Sequence, residues 1–169
     1  MKFFPKIIFL LMCFSLMSAF QSSKKKVIFF GDSITEAGVH PGGYITLMND
    51  LTGSSSNQYE LKGAGIGGNK VYDLYLRMDQ DVIAHHPDIV VIYVGVNDVW
   101  HKQSFGTGTD PDKFEKFYVA LVKKLQDQKI KVAICTPAVV GEHTDFSNEL
   151  DGDLNRYSNI IRKIAQENR

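Results

Sequence analysis

An α/β fold built on a mostly parallel sheet is predicted by three observations. Short apolar runs alternate with segments of helical period, as in "KKVIFFG" followed by "YITLMNDL". "DIVVIYVG" is a continuous β-branched run, the pattern of a strand covered on both faces rather than wet on one. Finally, each predicted strand runs into a loop marked by glycine or proline, and in such sheets chemistry sits at the carboxyl ends of the strands. No internal repeat or low-complexity linker divides the chain, so 169 residues are expected to hold one globular domain behind a leader.

The elements follow in order. Val27–Phe30 is the first strand, broken at Gly31, and Tyr44 to Leu51 carry helical spacing. "QYELKGAGIGG" is a short strand entering a Gly-rich turn. Val71 to His85 then place Val71, Leu74, Tyr75, Met78 and Val82 on one helix face. Ile89 to Val94 reads as a central strand. The following "HKQSFGTGTDP" is expected to be a loop, closing on Asp110 and Pro111 as a helix start, with Phe114, Phe117, Leu121 and Leu125 as the buried stripe. "KIKVAICTP" is the fourth strand, stopped by Pro137. Val139 to Ser147 read as a loop, and Leu150 to Asn168 as a helix with Leu154, Tyr157, Ile160, Ile161 and Ile164 turned inward.

The start of the chain, "MKFFPKIIFLLMCFSLMSAFQSSKKK", has Lys2 and Lys6, an apolar run from Ile7 to Phe20, then small and polar residues. That is the anatomy of a secretory signal peptide. The run is shorter than the roughly 20 residues a membrane-spanning helix needs. Residues 1–22 are therefore expected to be a signal peptide, with cleavage near Ala19, and residues 23–169 an exported domain, periplasmic or extracellular. Cys13 falls in the leader, and "FLLMC" lacks the small residues expected before a lipid-attachment cysteine. Cys135, in an apolar strand, reads as a small core residue. Lys+Arg and Asp+Glu both number 19, so net charge argues for neither nucleic acid nor an anionic membrane as partner.

Three strand ends carry candidate chemistry: "GDSI" at Gly31–Ile34, "GAGIGGN" at Gly63–Asn69 and "GVND" at Gly95–Asp98. In a parallel sheet all three emerge on one edge. A serine hydroxyl such as that of Ser33 becomes a useful nucleophile only with a base to take its proton and donors to hold the charge developing on the substrate. Gly65 offers a backbone N–H with no Cβ in the way, and Asn97 offers a side-chain NH₂; with the Ser33 amide these make three donors. Each residue also has a plain structural reading: Ser33 as a helix cap, Gly65 as a turn glycine, Asn97 as a turn former.

Together the three blocks resemble the SGNH hydrolases, also called GDSL-type esterases and lipases: "GDSIT" like the first family block, "GAGIGG" like the second, "GVND" like the third. The resemblance spans Val27 to Asp98, and the later elements keep the family's order. It implies a flavodoxin-like three-layer α/β/α sandwich and ester hydrolysis through an acyl-serine. Ser33 would be the nucleophile, and the Ser33 amide, Gly65 and Asn97 the oxyanion hole. Gly63 departs from the asparagine common there, without removing a donor. The substrate is expected to be a small-molecule, glycan or lipid ester, such as an acetyl ester of a carbohydrate. Asp32, Trp100 and His101 are expected to border it, Trp100 otherwise packing under its loop. No cofactor, no metal, no nucleic acid and no stable membrane partner are expected.

The family's base is a histidine in a late Asp-x-x-His block, and this sequence ends at Arg169 without one. The expectation is a C-terminally incomplete domain. Asp98-Val99-Trp100-His101 has that spacing but belongs to the "GVND" connection, where the Asp98 carboxylate is expected to tie down loop backbone. His40, His85 and His86 read as loop or surface residues. His143, with Glu142 and Asp145, reads as a solvated loop rather than a metal cluster. Two other readings stand beside the esterase. Gly63–Gly68 satisfies G-x-G-x-x-G, a weak nucleotide-binding signal. A non-catalytic binding remnant of a hydrolase would keep the cleft without its base.

Overall fold

The structure, a computed structural model, describes residues 24–53 and 58–168. The expected signal peptide lies outside them. The chain folds in the order β1 (Lys25–Gly31), α1 (Ser33–Ala37), α2 (Tyr44–Gly53), β2 (Tyr59–Gly65), α3 (Val71–Asp81), β3 (Ile89–Tyr93), α4 (Val96–Ser104), α5 (Pro111–Asp127), β4 (Lys131–Ile134) and α6 (Asp151–Glu167). The four strands form one parallel sheet in the order β2-β1-β3-β4.

Alternation along β1 and β3 creates two faces from one apolar run. Ile28, Phe30, Val90 and Ile92 point into the larger core, where they meet Leu74 and Met78 of α3, Phe114, Leu121 and Leu125 of α5, and Tyr157 and Ile161 of α6. Val27 and Phe29 point the other way, against Ile45 and Tyr44 of α2. Helices on both faces of a parallel sheet make the three-layer α/β/α architecture. Phe114, Leu121 and Leu125 of α5 are wholly buried, each contributing about 1.5–3 kcal/mol of transfer free energy, whereas Phe117 of the expected stripe is only partly buried and Tyr118 is buried beside it. Among the described residues no helix is long and apolar enough to cross a membrane.

Three local departures from the sequence reading follow from backbone facts. The helix expected to reach His85 ends at Asp81, where Val82 leaves helical geometry at φ −126°, and a single 3₁₀ turn, Ile83–His85, carries the chain to His86 at φ 49°. A short helix, α1, forms directly after β1. The expected loop at His101–Pro111 is helical through Ser104, because α4 begins inside "GVND" itself.

Candidate active site

The site is assembled at the carboxyl edge of the sheet, where Gly31 of β1 lies in register with Gly65 of β2 and Tyr93 of β3. The first part is the turn from β1 into α1. Asp32 is buried in an extended conformation, and its Oδ1 accepts the Ile34 N–H at 3.0 Å, so Asp32 is the N-cap of α1. Burial pushes its carboxyl up from the ordinary range, against the Ile34 hydrogen bond. Ser33 is the first residue of α1 and is exposed. The helix cap is therefore Asp32, and the serine hydroxyl is left to face solvent.

The second part passes beneath that turn. A Cβ on Gly65 would stand 2.1 Å from the Glu36 nitrogen and 2.7 Å from the Asp32 oxygen, so only glycine allows β2 to approach α1 this closely. A Cβ on Gly67 would come within 4.0 Å of Ser33 Cβ, which puts this loop beside the serine. Ile66 N–H donates to Gly31 O at 3.2 Å, continuing the ladder past the end of β2. The G-x-G-x-x-G string thus begins in the last three residues of the edge strand β2 and packs against the first helix, rather than forming the first strand-to-helix turn of a dinucleotide fold.

The third part is the start of α4. Gly95 holds φ 133°, a conformation side chains disfavour, and a Cβ there would press Pro137 at 2.8 Å. Asn97 is buried and its Nδ2 donates to Asn69 O at 3.1 Å, joining the third loop to the second. An NH₂ has two donors, so one remains for a ligand. Asp98 is fully buried, with both carboxylate oxygens receiving the Val71 N–H and its carbonyl the Thr109 N–H at 3.0 Å. It ties down backbone, as the sequence suggested, though at the start of α3 rather than within its own turn. Burial pushes the Asp98 carboxyl up to about 7, against the Thr109 hydroxyl, the Val71 N–H and Lys70.

His101 and Trp100 lie one turn further along α4. A Cβ on Gly68 would stand 3.7 Å from His101 Cε1, so the imidazole borders the Gly-rich loop. Partial burial and the Lys70 ammonium hold it below the usual histidine range. Trp100 is 40% exposed and stacks edge-on with Phe105, itself 63% exposed, at 6.2 Å between centroids. The sequence reading missed Phe105, whose signal was an aromatic five residues beyond Trp100. It also missed Arg77, which reads from sequence as a surface charge on a helix.

The profile of the GDSL-like lipase/acylhydrolase family matches residues 29–169. The chain belongs to this family. Family membership makes it a carboxylic ester hydrolase by class. The chain is 68% identical to the acetyl xylan esterase AlAXEase, whose crystal structure it matches with a TM-score of 0.82 over 85% of this chain and 73% of that one. An acetylxylan esterase of Geobacillus stearothermophilus is 28% identical over 163 residues, 86% of this chain and 73% of that protein. A structure of Axe2, an acetylxylan esterase from the same organism, matches with a TM-score of 0.74 at 26% identity, covering 87% of this chain and 75% of that one. Solved catalytic mutants of Axe2 alter a serine, an aspartate and a histidine.

Proposed function

We propose that this member of the GDSL-like family removes acetyl groups from an esterified carbohydrate, with acetylated xylan as the substrate class. The observation that carries this is an exposed serine at the first position of α1, beside the Gly-rich loop to which Asn97 is hydrogen-bonded through Asn69, in a chain 68% identical to an acetyl xylan esterase. Ser33 Oγ would bond to the acetyl carbonyl carbon as its proton passes to a base. The carbonyl electron pair moves onto oxygen, where the Ser33 N–H, the Gly65 N–H and Asn97 Nδ2 would receive it. The sugar hydroxyl then leaves carrying a proton, and water releases acetate from the acyl-serine. Trp100 and Phe105 offer ring surface for a sugar beside that centre. The proposed place of action is outside the cytoplasm, on the strength of the leader-like residues 1–22.

A second reading, carbohydrate-ester binding without turnover, is favoured by one observation. Among the described residues no imidazole or carboxylate hydrogen-bonds Ser33 Oγ. One experiment separates the two: incubate the 169-residue chain and its Ser33→Ala variant with acetylated xylo-oligosaccharide, and measure released acetate and bound sugar. Acetate release that depends on Ser33 supports the hydrolase. Saturable binding with no acetate from either protein supports the binding module, and acetate release unchanged by Ser33→Ala overturns the nucleophile assignment.

A further inference from the structure

Arg77, on the second turn of α3, reaches the loops of the site from below. Its side chain is 15% exposed, and its guanidinium lies 4.5 Å from the centroid of the Phe30 ring. Four hydrogen bonds leave that one group. Nη2 donates to Gly31 O at 2.8 Å and to Ala64 O at 3.0 Å, Nε donates to Asn69 Oδ1 at 2.7 Å, and Nη1 donates to Asp81 Oδ2 at 2.8 Å.

Each of the first three acceptors adjoins a proposed oxyanion donor. The Ala64 carbonyl and the Gly65 N–H belong to one planar trans peptide, so holding the oxygen in one direction fixes the N–H in the opposite one. The Gly31 carbonyl ends β1 one peptide before the unit that carries the Ser33 N–H. Asn69 presents to Arg77 its side-chain oxygen and to Asn97 Nδ2 its backbone oxygen. Asp81, one turn along α3, completes the guanidinium's set and aims it. Lysine could not reproduce this, because an ammonium is a point charge and lacks the planar fork that serves two carbonyls and a side-chain amide at once.

We infer that Arg77 is a positioning residue that aligns all three donors of the proposed oxyanion hole, through Gly31, Ala64 and Asn69. It touches no reacting atom, and the inference rests on the reading of Ser33, Gly65 and Asn97 given above. Donors aimed in advance at a developing charge lose most of their effect when displaced by as little as an ångström.

The test compares the chain with Arg77→Met, which keeps an unbranched stem but removes the guanidinium, and Arg77→Lys, which keeps the charge. Hydrogen exchange is followed at the Ile66 amide, which bonds Gly31 O, and at the Asn97 side-chain amide, alongside core amides in β1 and β3. Turnover of p-nitrophenyl acetate is measured in parallel. The expected result is exchange faster by about 10-fold or more at Ile66 and Asn97 with core rates unchanged, since local opening is decoupled from global unfolding. In the same variants kcat falls by about 10²-fold with KM nearly constant. Unchanged exchange at both sites, or acceleration shared equally by the core, overturns the inference; the second outcome would make Arg77 a general stabiliser. If Arg77→Met does not fold, Arg77→Lys decides by the same readouts. A chain inert even with intact Arg77 counts against the hydrolase reading alone, and the exchange data then decide whether Arg77 holds the loops.

Discussion

Both carboxylate oxygens of Asp98 accept the Val71 N–H, at 3.3 and 3.2 Å, joining the first turn of α4 to the first turn of α3. The contact satisfies an orphan donor at a helix start and brings a carboxyl to the positive end of α3, but it buries that carboxyl completely. With the folded-state value raised from 3.8 to about 7, the native state holds a proton that the unfolded chain has already released. The stability Asp98 contributes is thus fully present below about pH 4 and is lost as pH rises through about 7, at up to about 1.4 kcal/mol per unit. Asp98→Asn keeps an acceptor for Val71 and removes the titration. Urea unfolding at pH 5 and pH 8 should show a smaller loss for the variant than for the parent, and parallel losses would contradict the assignment.

Gly65→Ala should lower stability by about 1–3 kcal/mol, because its Cβ would meet backbone atoms of α1 that no rotamer change can clear. Gly152→Ala is the counter-case. Gly152 sits in α6 with nothing within 4 Å of an added Cβ, and the substitution should stabilise by roughly 0.4–1 kcal/mol through the unfolded chain. Urea midpoints of the two variants should move in opposite directions.

Asn97→Ala should lower kcat by about 10²- to 10³-fold on an acetyl ester while changing KM little, as expected for a donor that acts on developing charge. A change confined to KM would mean that Asn97 positions substrate. The variant also frees Asn69 O, so its thermal midpoint should be recorded to separate lost donation from loosened loops.

Trp100→Ala and Phe105→Ala should each raise KM for acetylated xylo-oligosaccharide by roughly 2- to 10-fold, the scale of one aromatic contact. Neither should alter KM for ethyl acetate, which has no ring to stack. Equal changes on both substrates would place the rings at the acetyl group instead.

The layered fold was legible because β1 and β3 are covered on both faces, β3 fully on the Val90 and Ile92 side and partly on the Ile89 and Val91 side, which leaves an unbroken apolar run where a half-exposed strand would alternate. The three glycine-bearing strand ends were legible too, since Gly31, Gly65 and Gly95 stand where no side chain fits or where φ forbids one. Helix α4 was not. Its first turn buries Asn97 and Asp98 beside Val96 and Val99, so the apolar periodicity that announces an amphipathic helix is missing, and Gly95 offers no side-chain cap. Arg77 was hidden for a different reason. Its partners lie 46, 13 and 8 residues earlier in the chain, and only the packing of α3 beneath the sheet edge brings them together.

The room around Gly31 bears on how this scaffold can be diversified in the laboratory. Any side chain there would meet Thr35 Oγ1 and Tyr93 O, both at 2.3 Å, and Gly65 is as tightly enclosed. Codons for these two positions would waste most of a mutant library on misfolded clones. Ile66, Trp100 and Phe105 are exposed on the Gly-rich loop, within α4 and just after it. Randomising those three leaves the sheet edge undisturbed, and that is where a search for altered ester preference should begin.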